Sequence, residues 1–280
     1  MLRRALLAAA SLAFLAPAIA AVKPSPGSLA DLYQSVFVTS GTGEANRIPG
    51  FRQTLEDVLV KVSGDPRLIG DPRIDGLKTK AAELATSFTY LDLYSGRPLH
   101  DEQGSYDRPH YLTVDYDPAK IDAALHDLGL KPWTGDRPKL AVFLVVDHYG
   151  RRYLVTADDP RDAAMNEAFA AASVRYGLPM TFPPAALLAD AALTPDSLPQ
   201  AVDLTALAAK AGGALPLAGT LLFSDHEHGW IADWYLSTET GRHHWQVRGV
   251  NFDTAFRDAI LGAAQVLSGN GEPGDVTPSR

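Results

Sequence analysis

The chain has 280 residues, 46% of them hydrophobic and 21% charged, with a formal net charge of −8. That balance argues against an intrinsically disordered chain, and the length suffices for two modest domains. Cysteine is absent, which excludes disulfides, thiol catalysis, zinc–thiolate sites and an acylated N-terminal cysteine; the acidic charge and the lack of a long basic run argue against nucleic acid as a partner.

Met1–Arg4 is a short basic segment, and Ala5–Ala16 is an apolar run of about a dozen residues, the length of a signal-peptide core. Ala18-Ile19-Ala20 is an A-x-A cleavage signal. Residues 1–20 are therefore expected to be a leader cleaved near Ala20, which places the mature chain in the periplasm. No later segment approaches the ~20 apolar residues of a membrane span. Residues 21–30 form a Pro/Gly/Ser linker.

Leu32–Thr39 predicts a strand with Leu32, Gln34, Val36 and Val38 on one face. Ser40–Gly50 is rich in turn formers. Its SGTGEAN lacks the later glycines of G-x-G-x-x-G and the Gly-Lys-Ser/Thr of a P-loop, so it is expected to lead into a helix and not to cradle phosphate. In Phe51–Arg67, residues Phe51, Leu55, Val58, Leu59 and Val62 fall on one helical face. Gly64 stands where a left-handed cap is wanted, with Pro66 beyond it. Of four Asp-Pro pairs, at 65, 71, 117 and 159, the last three each precede a helical pattern, and the aspartates are expected to cap: Asp accepts from the free first-turn amides and Pro loses no bond at the first helical position. Pro72–Thr86 predicts a helix, Ser87–Tyr94 and His110–Tyr116 two strands joined by a polar loop, and Pro118–Leu130 a helix.

Lys131–Pro138, with two prolines and a glycine, is the expected boundary between a domain over 31–135 and a second over 136–268. Leu140–Val146 (LAVFLVV) predicts a strand buried on both faces. Pro160–Tyr176 predicts a helix closed by Gly177, Leu178–Pro183 an extended piece, Ala185–Pro199 an irregular stretch with room for a turn of helix, and Ala201–Ala211 a helix. Ala214–Phe223, Trp230–Ser237 and Arg242–Val250 predict three strands with short turns, followed by a helix capped by Asn251 with Phe252, Phe256, Ala259 and Ala263 on its apolar stripe. The fold class is α+β: two small mixed α/β domains, the second ending in a three-stranded antiparallel meander with helices on one side. Residues 269–280 are expected to be a disordered tail.

Chemistry is sparse. His226 and His228, in Asp225-His226-Glu227-His228, are the candidate metal ligands, set against a solvated hairpin turn. His243-His244 lie about eight strand residues away, roughly 25 Å at ~3.3 Å each, too far to share one ion with them. His100-Asp101-Glu102 offers an acid/base pair in a polar loop, with no nucleophile elbow nearby. Trp230 and Trp234 share a strand face, where they either anchor a partner or fill the core. No catalytic set, cofactor motif or further metal site emerges.

The strand Leu32–Val38 and the segments VLVKVSGDPR, VDYDPAKIDAALHDLGLKPW, RPKLAVFLVV and YGLPMTFP, with the closing meander, together resemble a group of exported proteobacterial proteins. That group is defined by a domain of unknown function, number two thousand and sixty-six in its series. The resemblance spans about Leu32 to Leu267 and implies no mechanism. The second domain alone is similar in topology to small α/β domains of envelope accessory proteins: the N-terminal domain of TolB, the lipoprotein activators of penicillin-binding proteins and the curli secretion lipoprotein. These bind other envelope proteins, and the absence of cysteine sets this chain apart from the acylated ones. The expected function is that of a non-enzymatic periplasmic accessory or scaffold with an envelope-protein partner. The alternative is a metal-dependent hydrolase or small-ligand carrier using the Asp225–His228 turn or a cleft between the domains.

Overall fold

The computed structural model describes residues 32–95, 108–198 and 203–274. The leader, the His100–Glu102 loop and the last six residues lie outside the described residues. The fold is α+β. Strand β1 (Gln34–Ser40), helix α1 (Glu44–Ser63), short helices α2 (Asp75–Thr79) and α3 (Ala81–Leu84), strands β2 (Ala85–Asp92) and β3 (Pro109–Tyr116) and helix α4 (Pro118–Asp127) make a first unit. Its sheet is antiparallel in the order β1-β3-β2.

Helix α1 starts earlier than its apolar stripe. It begins at Glu44 after Gly43, carries Pro49 inside, and ends at Ser63. The expected entry loop is thus largely helical: the Arg47 amide already bonds the Gly43 carbonyl, and Glu44 suits the positive end of the helix dipole. Gly64 caps it at φ 71°, its amide bonding the Val60 carbonyl, a conformation costly for any residue with a Cβ.

All four Asp-Pro aspartates cap. Asp65, Asp71 and Asp159 start single 3-10 turns and Asp117 starts α4. Three of these motifs are Asp-Pro-Arg, and each arginine folds back onto its own aspartate. One such turn lies inside the stretch read as a continuous helix over Pro72–Thr86, which breaks again at Lys80 and gives way to β2 at Ala85.

The second unit is built on β4 (Leu140–His148). Short strands β5 (Arg151–Leu154) and β6 (Met180–Thr181) pair with one edge of β4. Between them lies helix α5 (Ala163–Tyr176), capped by left-handed Gly177. Helices α6 (Ala185–Asp190) and α7 (Thr205–Lys210) precede β7 (Leu215–Ser224), which runs parallel to β4. Strands β8 (Gly229–Thr238) and β9 (Gly241–Val250) complete the antiparallel meander. Helix α8 (Phe252–Leu267) follows, with the Asn251 side chain accepting from the Thr254 amide at 2.8 Å.

Helices cover both faces of this sheet, not one. A large buried cluster joins α1, the first sheet, α5, α8 and one face of the second sheet. A smaller one lies between the other face and α6–α7, through Phe143, Val145, Leu188 and Ala208. The physical reason is β4 itself: apolar side chains alternate to both faces of a strand, so an unbroken apolar run needs a cover on each.

Arg137, in the Pro/Gly segment between the units, ties them together. Its guanidinium donates to the carbonyls of Lys61 (2.6 Å), Trp133 (3.0 Å), Tyr176 and Gly177 (3.2 Å each), and it lies 4.0 Å over the Trp133 ring. The C-terminal ends of α1 and α5 thus converge on one cation, as the helix dipole favours. Burial pulls its pKa down to about 10. Residues 270–274, within the stretch read as a tail, are also tied down. Asn270 donates to the Ser63 carbonyl at 2.8 Å, and Glu272 accepts from His243.

Candidate functional site

Helix α1 is apolar toward the first sheet, yet Glu56, Asp57 and Lys61 on its other sides are buried as well. Each acquires a partner from elsewhere, as burial of a charge requires. Lys61 Nζ donates to the Gln34 carbonyl at 2.7 Å. Glu56 accepts from Lys78 and from the Gly70 amide. Asp57, 4% exposed, receives Arg175 of α5 in a bidentate pair at 3.0 and 2.7 Å, with Gln53 at 3.1 Å and Ser35 at 3.3 Å.

Beside this pair α1 and α8 part, leaving a cleft of about 890 Å³ between the two units. Its polar wall includes Gln53, Asp57, Arg67, Arg175 and Arg257, and its apolar wall Val250 and Leu261. Residues 270–274 form part of the rim. That volume lies within the range that holds a small molecule. Burial opposes the Arg175 charge, but the hydrogen bonds and charge of Asp57 outweigh it and hold the guanidinium above its ordinary pKa. Burial likewise pushes the Tyr176 phenol up. Arg257 reaches the cleft from α8, where Nη2 donates to Thr254 Oγ1 at 3.3 Å. Among the described residues that line the cleft there is no histidine, lysine or serine. The arrangement is suited to holding a polar ligand, since its two α1 carboxylates are already committed to fixed ion pairs.

The residues singled out by sequence lie elsewhere. Trp234 is fully buried, edge-on to Phe169 at 5.8 Å, and belongs to the core. Trp230 is only half-buried, at the end of the same strand beside exposed His148 and half-buried Phe223. His226 and His228 sit in the four-residue turn between β7 and β8, His226 almost fully exposed and 3.7 Å from Glu227. His243 and His244 lie toward the opposite end of β8. His243 bonds Thr238 and Glu272, and His244 stacks on Tyr235 and reaches Asp233. Among the described residues no group of three or more His, Asp or Glu is placed to hold a metal ion, and no helix is long and apolar enough to cross a membrane.

Sequence reasoning missed Asp57, Arg175, Arg137 and Arg257. The one available signal was Glu56-Asp57 beside the apolar stripe of α1, where charge in a buried helix requires a distant partner.

The chain has no match among curated proteins or among solved structures. Residues 27–134, which hold β1 through α4, match the family model of a domain of unknown function (DUF8605).

Proposed function

We propose that this is an exported, non-enzymatic accessory protein of the periplasm that binds another envelope protein through the outer face of its first sheet. One observation carries the reading. Val36, Val38, Leu91 and Tyr111 are each between 41% and 51% exposed. Val38 pairs with Tyr111 and Tyr111 with Leu91, so the four form one patch across all three strands. The opposite face, with Leu112 and Val114, is filled by α1. A contiguous apolar patch on a sheet face is the mark of an interaction surface. The leader expected over residues 1–20 and the resemblance read from the sequence of the second unit to partner-binding envelope domains support the same reading. The test is capture from envelope extract by the mature protein, beside a Val38→Asp/Leu91→Asp variant. Both side chains are exposed, so the variant is expected to stay folded and lose the captured protein. Repeated failure to capture any partner, or equal capture by the variant, overturns the proposal.

A second reading is favoured by the cleft: its 890 Å³ and mixed lining suit a small polar ligand. A metabolite mixture that leaves the wild-type melting temperature unchanged would remove it.

A further inference from the structure

At the carboxyl ends of the parallel strands β4 and β7 stand four rings, each in contact with at least two of the others: His148, Tyr149, Phe223 and Trp230. His148 lies 4.7 Å from Tyr149, 5.4 Å from Phe223 and 5.5 Å from Trp230, stacked at 30° on the last. Phe223 lies 5.4 Å from Tyr149 and 5.2 Å from Trp230. Phe223 and Trp230 face each other across β7 and β8 and are half-buried. His148 is exposed, and Tyr149 is 67% exposed, so core filling does not account for them.

Tyr149 is also in the wrong place for folding. It and Gly150 are the two loop residues of the β4–β5 hairpin, with φ of 52° and 77°. Such a turn favours Asn-Gly, and a bulky side chain at positive φ is strained. The ring is held there by its hydroxyl, which donates to Asp225 Oδ1 at 3.0 Å. Asp225 belongs to the same turn as exposed His226 and His228. The result is a set of aromatic faces beside a rim of acceptors and imidazoles. Tyr149 takes one acceptor position of a carboxylate that has about four.

We propose that this cluster is a saccharide-binding platform. A pyranose offers an apolar C–H face, weakly positive, that complements the negative face of an aromatic ring. Its hydroxyls both donate and accept, which suits Asp225 and the two turn histidines. Phosphate-bearing ligands are disfavoured by the carboxylate of Asp225 and by the net charge of −8, Glu227 being paired with Arg248 at 3.2 Å. The site is separate from the apolar sheet face of the first unit.

The test is titration of the full mature chain with chitotetraose and with maltotetraose, read by calorimetry and tryptophan fluorescence. Saturable binding of at least one is expected, weakened by about tenfold or more in Tyr149→Asn. That variant is expected to melt at the same or a higher temperature, since asparagine suits the turn. The Val38→Asp/Leu91→Asp variant is expected to bind the sugar as wild type does, which separates this site from the protein-binding face. No saturable binding of either sugar, unchanged binding by Tyr149→Asn, or a lower melting temperature in that variant overturns the proposal.

Discussion

Replacing Arg175 by methionine tests the link between the two units. The Asp57 carboxylate is buried and takes two of its four hydrogen bonds from Arg175, the others coming from neutral Gln53 and Ser35. Removing one partner of a buried pair costs about 3–5 kcal/mol because the other charge is left uncompensated. The Arg175 side chain is 37% exposed, so water reaches part of the vacated space and solvent screening reduces the cost to about 2–3 kcal/mol. At roughly 2–4 °C per kcal/mol for a chain of this size, the melting temperature should fall by about 4–12 °C. The assay is a double-mutant cycle by urea or thermal unfolding, with Arg175→Met, Asp57→Asn and the pair together. Once Asp57 is neutral, loss of Arg175 should cost little, so the coupling should exceed about 1 kcal/mol. Effects that add within about 0.5 kcal/mol would refute the reasoning, because independent sites behave that way.

Arg137→Met keeps an unbranched apolar side chain but removes the guanidinium from the Trp133 ring and strips four carbonyls of their donor. A loss of about 2–4 kcal/mol is expected, with earlier hydrogen exchange at the ends of α1 and α5; unchanged protection there would contradict the role of Arg137 as a staple. A Cβ on Gly262 would overlap the buried Trp245 indole, and one on Gly219 would overlap Trp234. Gly262→Ala and Gly219→Ala should each cost about 1–3 kcal/mol by overpacking, read as a lower urea midpoint, and neutrality of both would show a looser core. The hydrogen bond from the Arg161 side chain, then the Arg161 amide, hold the Asp159 carboxyl down to about 2. Its contribution to stability is therefore full above the unfolded value near 3.8 and is lost as pH falls through about 2. In Arg161→Ala the carboxyl resonance of Asp159 should titrate at higher pH, yet below the ordinary value because the residue-161 amide still donates; an unmoved titration would show that the guanidinium does not act on it.

Local rules made much of the fold legible. An apolar run such as Leu140–Val146 has to be a strand covered on both faces, and β4 is. Gly64 and Gly177 lie where helices must stop, and both are left-handed caps. Asp before Pro caps within three residues, and all four do so. These outcomes depend on atoms close along the chain, so composition and spacing suffice to read them. The arginine that closes each Asp-Pro-Arg turn was open to the same logic, being two residues from its aspartate.

The choice of face and of distant partner was not legible. Alternation in β1 defines two faces without saying which one meets α1. The structure turns Val36 and Val38 outward and Ser35 and Thr39 inward, because Ser35 bonds Asp57 and the Thr39 hydroxyl bonds the Gly41 carbonyl. Gly50 lets α1 approach Leu112 and Phe37 closely, a contact with no local signature. Asp57 and Arg175 are 118 residues apart, and nothing in either neighbourhood names the other. The cleft, the convergence of two helix ends on Arg137 and the ring cluster around Tyr149 all arise where separate elements meet. Sequence by itself determined most of the strands, helices, caps and turns, whose hydrogen bonds close within a few residues, but not the early start of α1 or the breaks within Pro72–Thr86. Only the tertiary structure decided which charges are paired, which apolar faces stay exposed and where a ligand can sit, because those depend on how the elements pack and on the water that packing excludes.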